Sequence, residues 1–504
     1  MIYLDGTSFT LGDLVAVARD FAPVAVADAA RTRVGAARAV VDDFAGRAAP
    51  TYGVNTGFGD FAEVTIPAGS LAALQVNLLR SHAAGVGDPL PVGVVRATMA
   101  LRANVLAKGF SGIRLETLDL LVEMLNRRVH PVVPSRGSVG ASGDLAPLAH
   151  LALVLIGEGA AWHGDVQGPG AAALDRAGLA PVTLAAKEGL ALINGTQAST
   201  ALLGLAVADA ERLARAADIA AALSIDGLRG STRPFDGRIH EARGFTGQRA
   251  SAANVLALMV GSPINASHAN CGRVQDAYSM RCTPQVHGAA RDGLAFARRT
   301  FQTEANAATD NPMVFAATGE IVSGGNFHGA PVALAADVVC LALAQMATIS
   351  ERRSERLVNP ALSGLPPFLT RHGGLQSGLM LAQVTAAALT SELKTLAHPS
   401  SVDSIPTSAG REDHVSMSMA AALKSARAVE LARDVVACEL LCASEAIDLL
   451  APLISSAPLM RVHDFIRAHV PAVEHDRSLS PDLRRISDMI ASGELESASG
   501  LNVN

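Results

Sequence analysis

The tripeptide Ala141-Ser142-Gly143 holds the most reactive chemistry this sequence offers. It lies within GSVGASGDLAPLAH, residues 137–150. These residues are small enough for the chain to fold back on itself. Attack of the Gly143 amide nitrogen on the Ala141 carbonyl closes a five-membered ring. Loss of water from that ring and from the Ser142 hydroxyl leaves a methylidene-imidazolone (MIO), an electrophile that no unmodified side chain supplies. A Cβ on the attacking residue would block so close a backbone approach, so glycine is required there. The tripeptide alone is weak evidence, because it occurs by chance in roughly one chain in five of this length. Two more copies, Ala491-Ser492-Gly493 and Ala498-Ser499-Gly500, lie in a polar C-terminal stretch and are expected to be flexible linker. The first copy has a different setting. Gly137 and Gly140 precede it, and Asp144 with Pro147 marks a helix start over the apolar run that follows. The electrophile then sits at the positive end of a helix, where developing negative charge is stabilised. A serine hydrolase using Ser142 is the competing chemistry, but GASGD is not the G-x-S-x-G of a nucleophile elbow.

Further segments stand along the chain in order: YGVNTGFG (52–59), LLRSHAAGVG (78–87), KEGLALINGT (187–196), RVQDAYSMRC (273–282), SGGNFHGAPVA (323–333), SGLPPFL (363–369) and EDHVSM (412–417). With the segment at 137–150 they closely resemble the MIO-dependent aromatic amino acid ammonia-lyases, over roughly residues 45–450. The likeness is greatest to the histidine-acting members of that family. The resemblance implies non-oxidative deamination of L-histidine to trans-urocanate and ammonia. It implies an MIO formed from Ala141-Ser142-Gly143, no external cofactor and no metal. The alternative within the family is a lyase or a 2,3-aminomutase acting on another aromatic amino acid. The family pattern also assigns residues. Tyr52 falls on the catalytic tyrosine; its phenol, with a reference pKa near 10, must be depressed by cations or helix ends to act as a base near neutrality. Arg281 falls on the carboxylate-binding arginine, whose guanidinium holds a carboxylate by two parallel hydrogen bonds. Asn194, Gln275, Tyr278 and Phe327 fall on positions lining the electrophile, with Asn194 and Tyr278 as hydrogen-bond donors to its oxygen and Phe327 shaping the pocket. His82 and Glu412 stand where the family's substrate ring is read, and both suit an imidazole. A phenyl ring would leave each of them unsatisfied, at a cost of roughly 1–3 kcal/mol apiece.

Two positions depart from the histidine-acting pattern. Gly410-Arg411 replaces an Asn-Gln pair ahead of Glu412, and His287 replaces a residue that is more often apolar. Arg411 either pairs with Glu412, favouring its ionised form, or points away from the pocket.

The composition fits such an enzyme. The 504 residues are 49% hydrophobic, 17% charged and 4% aromatic, a globular balance in which alanine carries much of the apolar fraction. Alanine is the best helix former, and its small side chain lets helices pack closely. A net charge of −6 without a basic cluster argues against nucleic acid as a partner. Five scattered cysteines read as reduced thiols in a cytoplasmic protein. The N-terminus lacks a basic region followed by a long apolar core, so no secretory signal is expected. The apolar stretch from Val332 to Ile349 is broken by Asp337 and Gln345, which argues against a membrane span.

The elements that would position these residues are mostly helical. Leu203, Val207, Ala210, Ala214, Ala217 and Ala221 recur at helical spacing, as do Leu431, Val435, Cys438, Cys442, Ala446 and Leu449. The expected fold is mainly α. A smaller, loop-rich N-terminal region (residues 1–110) carries the Tyr52 loop, and a long helical bundle (111–504) carries the MIO segment. The resemblance implies the ammonia-lyase/fumarase-like helical superfold and a homotetramer whose active sites combine residues from three chains. A catalytically inert helical assembly is the remaining alternative; the joint presence of Tyr52, Ser142, Asn194 and Arg281 speaks against it.

Overall fold

The structure, a computed structural model, describes residues 1–47, 49–269 and 271–503. It is predominantly helical, as the periodicity predicts, with helices of 31, 22, 29 and 32 residues at Gln197–Gly227, Thr283–Glu304, Ala330–Val358 and Ser418–Leu449. Two compact units emerge. The first comprises Met1–Leu205, Arg298–Asp337 and Pro399–Leu423; the second comprises Ala206–Ala297, Val338–His398 and Lys424–Asn504.

The first unit mixes shorter helices with small sheets. Ile2–Leu4 pairs in parallel with Val24–Val26. Val86–Pro89 runs antiparallel to Pro134–Arg136, and Val129–Pro131, Ala160–His163 and Val166–Pro169 form a three-stranded antiparallel sheet. The helix Val92–Ala107 is buried on nearly every side, so even its Arg96 and Arg102 lie inside. The helix Leu145–Leu155 begins where Asp144 and Pro147 predict. Asp144, however, does not cap it through its side chain. Its carboxylate accepts instead from Ser199 N and Oγ at 2.8 Å and from Ser138 Oγ at 3.1 Å.

The second unit is built on the long helices. The alanine-rich stripe of Gln197–Gly227 is buried throughout, and so are Leu431, Val435, Cys438, Cys442 and Ala446 of Ser418–Leu449. Arg353 and Glu439, both fully buried, meet at 2.5 Å. Ser350 Oγ and Ser224 Oγ also donate to the Glu439 carboxylate, at 2.6 and 2.7 Å. Removing one partner leaves a buried charge uncompensated, which costs about 3–5 kcal/mol. Arg353→Met is therefore expected to lower unfolding stability by that amount, read as a drop in the denaturant midpoint at unchanged slope.

Two expectations need correction. The C-terminal Ala-Ser-Gly copies are not linker. They close the helices Ser480–Ser492 and Glu494–Ser499, with Gly493 (φ +82°) and Gly500 (φ +65°) as left-handed C-caps. Glycine adopts that conformation without a Cβ penalty, and the cap satisfies the last carbonyls. The apolar run containing Asp337 does belong to a helix, Ala330–Val358, long and apolar enough to cross a membrane, with 72% of its most apolar window buried inside the protein. Asp337 is itself buried, accepting from the backbone N–H groups of Ser400 and Ser401 at 3.1 and 2.8 Å. A charge in an apolar run is here a helix-to-loop tie within the first unit.

Candidate active site

Ser142, at the centre of the Ala141-Ser142-Gly143 turn, lines a cavity of about 730 Å³ lying wholly in the first unit. Gly143 has φ +73° and pairs with Gly195 in a parallel β-bridge; a Cβ at Gly143 would stand 2.2 Å from the Gly195 carbonyl oxygen. Asp144 N donates to that same oxygen at 2.7 Å. Gly140, at φ +66°, is equally enclosed, with Ser416 and Ser418 hydroxyls 2.3 Å from where its Cβ would lie. The turn is thus held tightly on both sides by contacts that only glycine permits.

The remaining walls come from distant segments. Tyr52 reaches the cavity from a turn-rich loop and meets Phe58 edge-on, ring centroids 6.3 Å apart. His82 ends the helix Leu71–His82. Its Nδ1 lies 2.9 Å from the Leu78 carbonyl oxygen. A carbonyl only accepts, so Nδ1 carries the proton and Nε2 is left as an acceptor. Asn194 follows the helix Glu188–Ile193. Its buried Oδ1 has no hydrogen-bond partner, which marks an unmet polar group in the cavity wall. Glu412 accepts from Ser142 Oγ at 2.9 Å through one oxygen, and from Thr407 Oγ1 and Ser408 Oγ at 2.6 and 2.9 Å through the other.

Electrostatics refine this picture. Burial pushes the Tyr52 phenol above its ordinary value; a backbone hydrogen bond from Gly59 opposes this and the Glu412 charge adds to it. The depression expected from nearby cations is therefore not found around Tyr52 in this chain. Burial lowers the His82 imidazole, with Leu78 and Glu412 opposing, so the ring is neutral at pH 7. Burial pushes up the Asp144 carboxyl beneath the turn, against its hydrogen bonds from Ser199 and Ser138.

The other motif residues lie elsewhere. Phe327 belongs to the first unit, half-buried, and is not among the residues lining this cavity. Gln275, Tyr278 and Arg281 belong to the second unit. Gln275 and Arg281 line a cavity of about 670 Å³ there, and Tyr278 lines an apolar one of about 520 Å³. The Arg281 guanidinium lies 4.7 Å over the Tyr278 ring, its Nε buried without a partner, while Tyr278 is 71% exposed. His287 is fully buried in the second unit, where Nδ1 meets Asp218 at 2.7 Å, so its departure from the pattern concerns packing. Arg411 is exposed and is not among the residues lining the Tyr52 cavity.

Sequence reasoning did not find the hydroxyls of Thr407 and Ser408 on Glu412, nor Ser138 and Ser199 on Asp144. Serines and threonines in loops carry no spacing signal for such contacts.

The Ser142 hydroxyl meets a carboxylate and not an imidazole, and acid–base groups surround the turn. Elimination suits them, and the class is that of the carbon–nitrogen lyases. A family model described as aromatic amino acid lyase matches residues 9–468, and the chain belongs to that family. It is 58% identical to a histidine ammonia-lyase of Anaeromyxobacter sp. over 98% of this chain and 99% of that protein. Among solved structures it superposes on histidine ammonia-lyase from Trypanosoma cruzi with a TM-score of 0.92 at 43% identity, covering 99% of this chain and 95% of that one. A tyrosine aminomutase from Streptomyces globisporus gives a TM-score of 0.95 at 36% identity, with both chains fully covered.

Proposed function

We propose that the protein converts L-histidine to trans-urocanate and ammonia, using an MIO formed from Ala141-Ser142-Gly143. The observation that carries this reading is the convergence of His82 and Glu412 on the cavity that holds the tripeptide. The turn also fits the group. Gly143 accepts the close approach that ring closure needs, and Asn194 lines the same cavity as Ser142. When formed from Ala141-Ser142-Gly143, the group would supply the electrophile that activates the substrate for loss of ammonia.

The chain's own residues do the rest. Glu412 accepts an N–H of the substrate imidazole, and the freed Nε2 of His82 is a second acceptor for the ring. Tyr52 takes the β-proton at its phenolic oxygen. Its pKa, raised in this chain, predicts that the rate climbs toward alkaline pH as the phenolate forms. Arg281 and Tyr278 act on the substrate carboxylate and the electrophile's oxygen in a cavity completed by other copies of the chain. The unpartnered Arg281 Nε and the exposed Tyr278 ring support that role and the homotetramer it requires. The five cysteines form no disulfide among the described residues, which suits a reducing cytoplasm.

The test is addition of L-histidine to purified protein, with product identification and intact mass. Urocanate and ammonia in equal amounts support the reading. A two-water mass loss without turnover refutes the substrate and leaves the electrophile. A β-amino acid product identifies an aminomutase, an alternative raised by the likeness to a tyrosine aminomutase of 36% identity. Tyr52→Phe is expected to retain the mass loss and lose rate by about 100- to 10,000-fold, the usual range for a general base; a wild-type rate removes Tyr52 from that role.

A further inference from the structure

The turn that carries the tripeptide is braced from behind by a side chain outside every motif. Arg102 sits in the helix Val92–Ala107, fully buried. Its Nη1 donates to the Asn194 carbonyl at 2.9 Å and to Gln197 Oε1 at 2.6 Å, and its Nη2 donates to the Ala191 carbonyl. Gln197 is fixed in turn by Thr309, whose hydroxyl accepts from Nε2 at 2.6 Å. The guanidinium therefore holds carbonyls at the end of the helix Glu188–Ile193, groups that have no partner within the helix. A cation at a helix C-terminus is also favoured by the backbone dipoles. Burial lowers the Arg102 pKa to about 10, with Asp310 opposing, and the side chain stays charged at neutral pH.

Directly between Arg102 and the tripeptide lies Gly195. On one side, a Cβ at Gly195 would stand 2.4 Å from Arg102 Nη1 and from Gln197 Oε1. On the other, the Gly195 backbone is what a Cβ at Gly143 would strike. The order is Arg102, Gly195, Gly143, with no room for a side chain at either glycine. Ring closure is balanced without an oxidant. The Gly143 nitrogen bonds to the Ala141 carbonyl carbon. The carbonyl oxygen leaves as water with the protons of Gly143 N and Ser142 N, giving a C=N bond. The Ser142 hydroxyl leaves with the Ser142 Cα proton as the second water. The first bond forms only if Gly143 is kept pressed toward Ala141, and a displacement of about 1 Å costs on the order of a hundredfold in rate.

We propose that Arg102 is a positioning residue for ring closure: it locks Asn194 and Gly195 as a rigid back wall that keeps Gly143 against Ala141. The inference rests on the MIO reading above. It differs from a purely structural role, in which loss of Arg102 would lower stability and leave ring closure intact.

The experiment compares wild type, Arg102→Met, Arg102→Lys and Gln197→Met. Each soluble, folded protein is followed by circular dichroism, thermal melting and intact mass from synthesis onward. Arg102→Met is expected to fold with a lowered Tm and to lose its two waters about a hundredfold more slowly. Arg102→Lys, which keeps the charge, should recover part of that rate. Gln197→Met, which removes one anchor and leaves the guanidinium, should also mature slowly; its Tm falls because a buried hydrogen bond to a charged group is lost, so the readout is the rate of two-water loss in the folded protein. Folded Arg102→Met that matures at the wild-type rate overturns the proposal. If that variant does not fold, a wild-type maturation rate in both Gln197→Met and Arg102→Lys overturns it. Wild type without the two-water loss is a distinct failure, because it removes the electrophile itself.

Discussion

Ser142→Ala should fold and be inactive. The Ser142 hydroxyl makes one hydrogen bond, to Glu412, so its loss costs about 1 kcal/mol of stability. Chemically the loss is decisive. The second water has no oxygen to leave with, and the methylidene carbon is never made. Turnover is expected to fall by roughly 10,000-fold or more, the scale seen when a covalent catalyst's reactive group is removed. The intact mass should show at most a single water lost. Appreciable activity in the folded variant would sink the electrophile and return attention to plain acid–base chemistry at Tyr52 and Glu412.

Glu412→Gln should change both the rate and the shape of the pH profile. The carboxylate is held by three hydroxyls; on the proposed chemistry only that of Ser142 is lost, which would free one oxygen toward the cavity. A glutamine keeps the shape and loses the charge. A hydrogen bond to a charged group is worth about 1.5–3 kcal/mol, so histidine affinity falls. The rate is expected to fall on the order of a hundredfold. The sign of the pH effect follows from Tyr52. The negative charge of Glu412 adds to burial in holding the phenol above its ordinary pKa. Removing that charge lowers the phenol's pKa, so the alkaline rise in kcat/KM should move toward lower pH. A profile unmoved, or moved the other way, would separate Tyr52 from the rising limb. A substrate panel on the same variant tests ring selection: histidine should lose more than phenylalanine-like analogues.

The helical architecture was legible because alanine-rich stripes at three- and four-residue spacing leave no other way to bury themselves, and the buried stripes at 203–221 and 431–446 bear this out. The start of the helix at Leu145 was legible from Asp144 and Pro147. The fate of the Asp144 side chain was not, because Ser199 reaches it from 55 residues away. The convergence of Tyr52, His82, Ser142, Asn194 and Glu412 came from motif resemblance; no local period connects them. The elevated Tyr52 pKa was missed because its causes, burial and the Glu412 charge, arise only in three dimensions. Arg102 did leave a sequence signal, as one of two arginines, with Arg96, in an apolar helical run. Its contact with the Asn194 turn could not be read from that run.

The three Ala-Ser-Gly copies bear on timing. Two of them serve as ordinary helix ends, with their glycines relaxed into left-handed caps. Only the copy at 141–143 lies against another backbone segment, with no room for a Cβ at Gly143 beside Gly195. On the proposed chemistry, reactivity belongs to the fold and not to the residues. A nascent or misfolded chain carries no alkene to alkylate its neighbours. A mature one bears a permanent covalent record of having folded, because unfolding does not restore the lost waters. A newly made sample can therefore be sorted, molecule by molecule, by mass into chains that have reached the native state and chains that have not.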